Sequence, residues 1–136
     1  MKRTIKRTVT YPHPRERVWA ALTDSAVLGR WLMPNDFVPA VGHRFTLRAD
    51  PSPGFDGIIE CEVLALDPPR SMTWAWRGGP IDTQVAFELE EVEGGTRLQL
   101  VHSGFEGPAP VFVSLILGSG WRKLLGRKLR AELLRE

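Results

Sequence analysis

Apolar and polar residues alternate from the start of the chain. In RTIKRTVTY (3–11), Ile5, Val9 and Tyr11 share one face, and Thr4, Lys6, Thr8 and Thr10 share the other. Period two with β-branched residues predicts a half-buried strand. The PHP that follows ends it, because proline cannot donate to a sheet ladder. PRERVWAALTD then changes period. Val18, Ala21 and Leu22 fall at i, i+3, i+4, with Trp19 beside them and Pro14 suited to a first helical turn. Asp24 and Ser25 offer caps for a second short helix, SAVLGRWL, which Pro34 stops.

From about Val41 the alternation returns. Phe45 and Leu47 oppose Arg44, Thr46 and Arg48. Ile59, Cys61 and Val63 oppose Glu60 and Glu62. Met72, Trp74 and Trp76 share a face, as do Val85, Phe87 and Leu89. Leu98, Leu100 and His102 oppose Arg97, Gln99 and Val101. The turns between these runs, DPSPGFDG, DPPR, RGGP and EGG, are rich in Gly, Pro and Asp. After GFEGPAP comes a long C-terminal helix in which Trp121, Leu124, Leu125, Leu129 and Leu133 form a stripe. Strands joined by tight turns make an antiparallel sheet, and its apolar face requires a cover that only the final helix is long enough to supply. The expected architecture is α+β: a curved antiparallel sheet of about six strands around a long C-terminal helix, with two short helices after strand 1.

The residues from Gly107 to Trp121 carry no charge, and six basic side chains follow: Arg122, Lys123, Arg127, Lys128, Arg130 and Arg135. The apolar run is too short and too broken by Pro and Gly to cross a bilayer, which takes about 20 residues. Two adjacent apolar faces on this helix exceed what one sheet contact uses. The surplus is read as a pocket wall that includes Phe112 and Leu115, with subunit contact as the second choice. Docking on anionic lipid is disfavoured, since the sheet already uses the apolar stripe. Gly126 inside the helix is expected to permit a close approach.

Size and composition fit one domain spanning 1–136, with 43% hydrophobic and 25% charged residues. A net charge of +2 speaks against a polyanion binder, so no nucleic-acid partner is expected. The basic start and basic final helix read as solvated faces, with a weak acidic partner as the sharper alternative. One cysteine, Cys61, excludes an intrachain disulfide and a Cys-rich zinc site. The N-terminus has no apolar segment after its basic residues and so does not read as a signal peptide; a cytoplasmic protein is expected.

RERVWAALTDSAVLGRWLMP, the strand succession after it, and the late Gly120–Trp121 followed by leucines resemble the START-like, helix-grip superfamily. That superfamily (SRPBCC) includes polyketide cyclases and Bet v 1-like proteins. The resemblance is strongest to the AHSA1-like branch, the homologues of the activator of heat-shock protein 90 ATPase, and covers nearly the whole chain. It implies a deep cavity between the sheet and the last helix, with Trp31 and the residues after it at one lip. One departure stands out: the segment before Gly120–Trp121, usually polar in this branch, is VFVSLIL here, which argues against a polar site at that wall.

The candidate ligand-binding residues are Arg7, Trp31, Phe45, Trp74, Trp76, Phe87, His102, Phe105, Phe112 and Leu115. The aromatics favour flat or greasy ligands. His102 has inward parity at a strand end. It reads either as a histidine satisfied by the backbone or as a group that orients a ligand or moves a proton. Arg7 also has inward parity, and a buried arginine must be paired, with a sheet glutamate or with a ligand carboxylate. Cys61 reads as buried and inert. His13, His43 and His102 have no metal-ligand spacing, and no hydrolase elbow, phosphate loop or dinucleotide fingerprint occurs, so no metal or cofactor is expected. Binding of a small apolar or aromatic molecule, by a monomer or homodimer without stable membrane insertion, is the leading expectation. A cyclase or dehydratase using the same cavity comes second. A stress-related chaperone cofactor ranks last, because 136 residues hold one domain, without the additional N-terminal domain such activators use.

Overall fold

A computed structural model describes residues 1–135. The elements run β1 (Lys2–Tyr11), α1 (Arg15–Thr23), α2 (Ser25–Trp31), β2 (Arg44–Arg48), β3 (Ile58–Asp67), β4 (Ser71–Gly78), β5 (Ile81–Val92), β6 (Gly95–Glu106), α3 (Pro108–Lys123), a π-helical turn (Leu124–Lys128) and α4 (Leu129–Leu133). The six strands form one antiparallel sheet in the order β1-β6-β5-β4-β3-β2. The last helix and the two short helices complete an α+β, helix-grip architecture. The strand expected from Val41 starts at Arg44, and Val41 itself is exposed in the preceding turn.

The predicted apolar faces are the buried ones. Ile5 and Tyr11, Phe45 and Leu47, Val63, Met72, Trp74 and Trp76, Val85 and Phe87, and Leu98 and Leu100 form one core with Val18, Leu22, Leu28 and Trp121. The Asp24 carboxylate accepts from the backbone N–H groups of Ala26 and Val27, which supplies partners to orphan donors at the start of α2.

Two irregularities set where side chains point. Between the Arg3–Phe105 and Ile5–His102 pairs, β6 uses one residue more than β1. Gly104, at φ 104°, takes up the extra residue as a bulge. A Cβ there would lie 3.3 Å from the Thr83 Cα. The bulge turns Phe105 inward although it lies an odd number of residues after His102, and both are fully buried.

The second irregularity is the π turn. Trp121, Leu125, Leu129 and Leu133 are buried at a constant spacing of four. In a regular α-helix that spacing drifts by about 40° per step. The extra residue of the π turn resets the phase and keeps the stripe on the core. The Tyr11 hydroxyl donates to the Leu125 carbonyl within this turn (2.7 Å). Gly126 does not serve a close approach as expected: a Cβ there would meet nothing within 4 Å.

Candidate functional site

The inner face of the sheet carries a continuous band of rings. Phe37, Phe45, Trp74 and Phe87 follow one another at centroid distances of 5.1, 5.1 and 4.9 Å. Phe87 meets Trp121, Trp121 meets Trp76, and Trp76 meets His102, which packs 4.7 Å from Phe105. Most contacts are edge-to-face or tilted, the arrangement favoured by the ring quadrupole. Six of the ten candidate residues are thus brought together: Phe45, Trp74, Trp76, Phe87, His102 and Phe105. Phe37 belongs to the band but sits in the irregular PNDF segment, where no periodicity marked it.

The other four lie elsewhere. Trp31 is not at an entrance. It is 1% exposed, and its indole N–H donates to the Ala21 carbonyl (2.8 Å), so it joins α2 to α1. Phe112 and Leu115 do not wall the interior. They are 64% and 52% exposed, on the side of α3 opposite Ser114, Gly118 and Trp121, which face the sheet. The reason is rotational: positions 114, 118 and 121 take the inward side of the helix, and 112, 115 and 116 are left on the outside. Arg7 does point toward α3, but it has no carboxylate partner among the described residues. Its Nη2 donates to the Gly118 carbonyl (2.9 Å) and its Nη1 to the Lys6 carbonyl (2.9 Å). Glycine at 118 suits this approach, since a Cβ would stand 3.2 Å from Nη2.

His102 is held by a directed chain. The Trp121 indole N–H donates to His102 Nδ1 (3.1 Å), and His102 Nε2 lies 2.8 Å from the Thr83 hydroxyl. That hydroxyl donates to the Trp76 carbonyl (2.7 Å). Trp121 has only a donor and the carbonyl only accepts, so the proton of the neutral imidazole must be on Nε2, donated to Thr83. Burial lowers the His102 pKa from its ordinary 6.5 to about 3. The ring is neutral and both nitrogens are engaged. Thr83 escaped the sequence reading, although it shares the inward parity of Val85 and Phe87. Cys61 is buried, and burial above all pushes its thiol up to about 12, which leaves it inert.

One group in the band lacks a partner. The Trp74 indole N–H is buried without an acceptor among the described residues, and the residue is 0% exposed. Two clefts, of about 400 and 450 Å³, lie outside the band, the first of them bordered by Thr83. The first is lined by Leu64, Arg77, Gln84 and Ser103 on the outer side of the sheet. The second is lined by charged residues that include Arg15, Glu91 and Arg97. Neither is the inner cavity that the resemblance implied; the rings of the band occupy the inner face of the sheet. A further cluster that the sequence did not reveal closes the chain's end. Glu132 accepts from Arg30 Nε (2.7 Å) and Nη2 (2.6 Å), while Arg17 donates to the Glu132, Leu133 and Arg135 carbonyls.

The profile of the family described as Activator of Hsp90 ATPase homolog 1-like protein matches residues 12–133. The chain belongs to this family. Comparison with curated proteins gave no match. Among solved structures, protein MLL2253 from Mesorhizobium loti is 35% identical, with 96% of each chain covered and a TM-score of 0.86. Protein BH1534 from Bacillus halodurans is 30% identical, covering 98% of this chain and 99% of its own, with a TM-score of 0.80. The Aha1 dimer from Colwellia psychrerythraea shares the fold of this AHSA1-like chain at 20% identity, with 97% of each chain covered and a TM-score of 0.80. In this AHSA1-like chain no helix is long and apolar enough to cross a membrane, among the described residues. Nor do those residues contain a cluster of His, Cys, Asp and Glu able to hold a metal ion.

Proposed function

We propose that this AHSA1-like chain binds a small, mostly apolar or aromatic molecule against the inner face of its sheet, with Phe45, Trp74, Trp76 and Phe87 as the bed. The observation that carries the reading is the unpartnered Trp74 N–H. A buried donor without an acceptor costs about 1–3 kcal/mol, and such groups are rare in folded proteins. A carbonyl, ether or hydroxyl oxygen on a flat guest would satisfy it while the surrounding rings take up the apolar body. The rings already pack on one another, so binding proceeds by their rearrangement rather than into a ready-made hollow. A cyclase or dehydratase reading lacks comparable support, because His102 is neutral and has both nitrogens occupied.

Native mass spectrometry of freshly purified protein, followed by denaturing extraction, tests the proposal. A bound apolar mass with an acceptor oxygen is expected, and Trp74→Phe should lower its occupancy. A ligand-free spectrum, together with tryptophan fluorescence that no acceptor-bearing aromatic probe perturbs, would sink it.

A further inference from the structure

The outer side of α3 is the largest break in an otherwise ordered separation of apolar and polar residues. Phe112, Leu115 and Ile116 are 64%, 52% and 60% exposed, one helical turn apart on one side. The same exposed side continues through Ser119 to Arg122 and Lys123, and into the π turn at Arg127 and Lys128. Gly107 to Ala131 contains no acidic residue. Among the described residues none of these four cations takes part in an ion pair, while Arg130 beyond them stacks on the Tyr11 ring at 5.2 Å. The first carboxylate after them, Glu132, is already held by Arg30. The sheet uses a separate stripe, Ser114, Gly118, Trp121 and Leu125, so the outward apolar residues are free of any packing duty.

We propose that the outer face of α3 and the π turn docks on an anionic phospholipid surface, with Phe112, Leu115 and Ile116 entering the headgroup boundary and the cations beyond them meeting lipid phosphates. An apolar patch that runs into an uncompensated basic stripe on one helical side is the pattern that such an interface takes up, by apolar burial and electrostatic attraction together. The sixteen residues of α3 give a contact about 24 Å long, enough to lie in the interface and too short to cross it. A second copy packed parallel, α3 on α3, would bring the two basic stripes together with no carboxylate from either element to offset them. Packed antiparallel it would cover the apolar patch and leave the stripes apart, whereas an anionic surface meets patch and stripe at once.

The test is flotation of the full chain with vesicles of phosphatidylcholine alone and of equimolar phosphatidylcholine and phosphatidylglycerol, at low and high salt. Binding is expected with the anionic vesicles, weakening as salt rises. Phe112→Ser with Ile116→Ser should reduce it by about tenfold or more. Arg122→Gln with Lys123→Gln should reduce low-salt binding and flatten the salt dependence. All four positions are exposed, and circular dichroism confirms that each variant is folded. Failure of the wild type to float with anionic vesicles at low salt overturns the proposal. Equal binding by the Phe112→Ser/Ile116→Ser variant also overturns it, since charge alone would then explain the attraction. So does sedimentation showing a dimer that the same apolar variant dissolves, which would assign the face to a second copy. Ligand occupancy of the inner band is measured separately, so neither result decides the other.

Discussion

The Trp121 indole donates to His102 Nδ1 at 3.1 Å, and this single bond fixes the tautomer of a fully buried titratable ring in the core. A histidine in that state depends on pH in a definite way. Its folded pKa is about 3, against an ordinary 6.5 when exposed on unfolding. Between those values the unfolded chain binds a proton that the folded chain refuses. Stability is therefore complete above pH 6.5 and falls as the pH drops toward 3, by about 1.4 kcal/mol per unit and on the order of 5 kcal/mol in total. Urea unfolding of wild type and His102→Gln across this range checks it. The variant should lose this part of the slope, and parallel curves would contradict the assignment.

Trp121 and Trp74 are both buried indoles of the same band, yet only one has an acceptor. Replacing either with phenylalanine removes similar volume. Trp121→Phe also strips His102 Nδ1 of its donor, whereas Trp74→Phe removes a donor that had no partner. Trp121→Phe should therefore cost about 1–2 kcal/mol more. Chemical denaturation of the two variants measures the difference, and a larger loss for Trp74→Phe would refute it.

Arg7 ties β1 to α3 through the Gly118 carbonyl rather than through a carboxylate. Arg7→Met keeps the apolar stem and loses both hydrogen bonds. The expected cost is about 1–3 kcal/mol, insensitive to salt because no ion pair is broken. Thermal melts at low and high salt read both quantities. A cost that shrinks as salt rises would point instead to an unseen carboxylate partner.

Glu132 behaves oppositely to His102. Its hydrogen bond from Arg30, then the charges of Arg30, Arg135 and Arg17, hold its pKa below the ordinary 4.5, with burial opposing. The folded state thus keeps the carboxylate charged to lower pH than the unfolded chain does. The stabilisation is present above the ordinary carboxylate value and disappears as pH falls through the folded one. Glu132→Gln should be destabilised at neutral pH and converge on wild type in acid. A gap that stays constant with pH would show that packing, not charge, makes the contact.

Much of the fold was written in the alternation itself. The inward parity of Trp74, Trp76, Phe87, Leu100 and His102 follows from a period of two, which is a property of any extended chain. The two short helices were equally legible, from the spacing of Val18, Ala21 and Leu22 and from the Asp24 cap. Less of the site could be read. Phe37 lies in irregular backbone and has no period to reveal it. Trp31 looked like an entrance residue, but a hydrogen bond to Ala21, ten residues away, commits it to the helix packing.

The sequence by itself determined which residues are apolar on each strand, how many strands there are, and that a helix must cover them. These are local matters of period, turn chemistry and burial. Only the tertiary structure decided what each buried polar group meets and which way α3 is turned. His102 finds Thr83 and Trp121 nineteen residues away on either side, Arg7 finds Gly118 across the fold, and Phe112 and Leu115 are left facing outward. A hydrogen-bond partner is set by the meeting of distant segments, and helix rotation by which small residue lets its neighbour approach. Neither leaves a periodic trace in the chain.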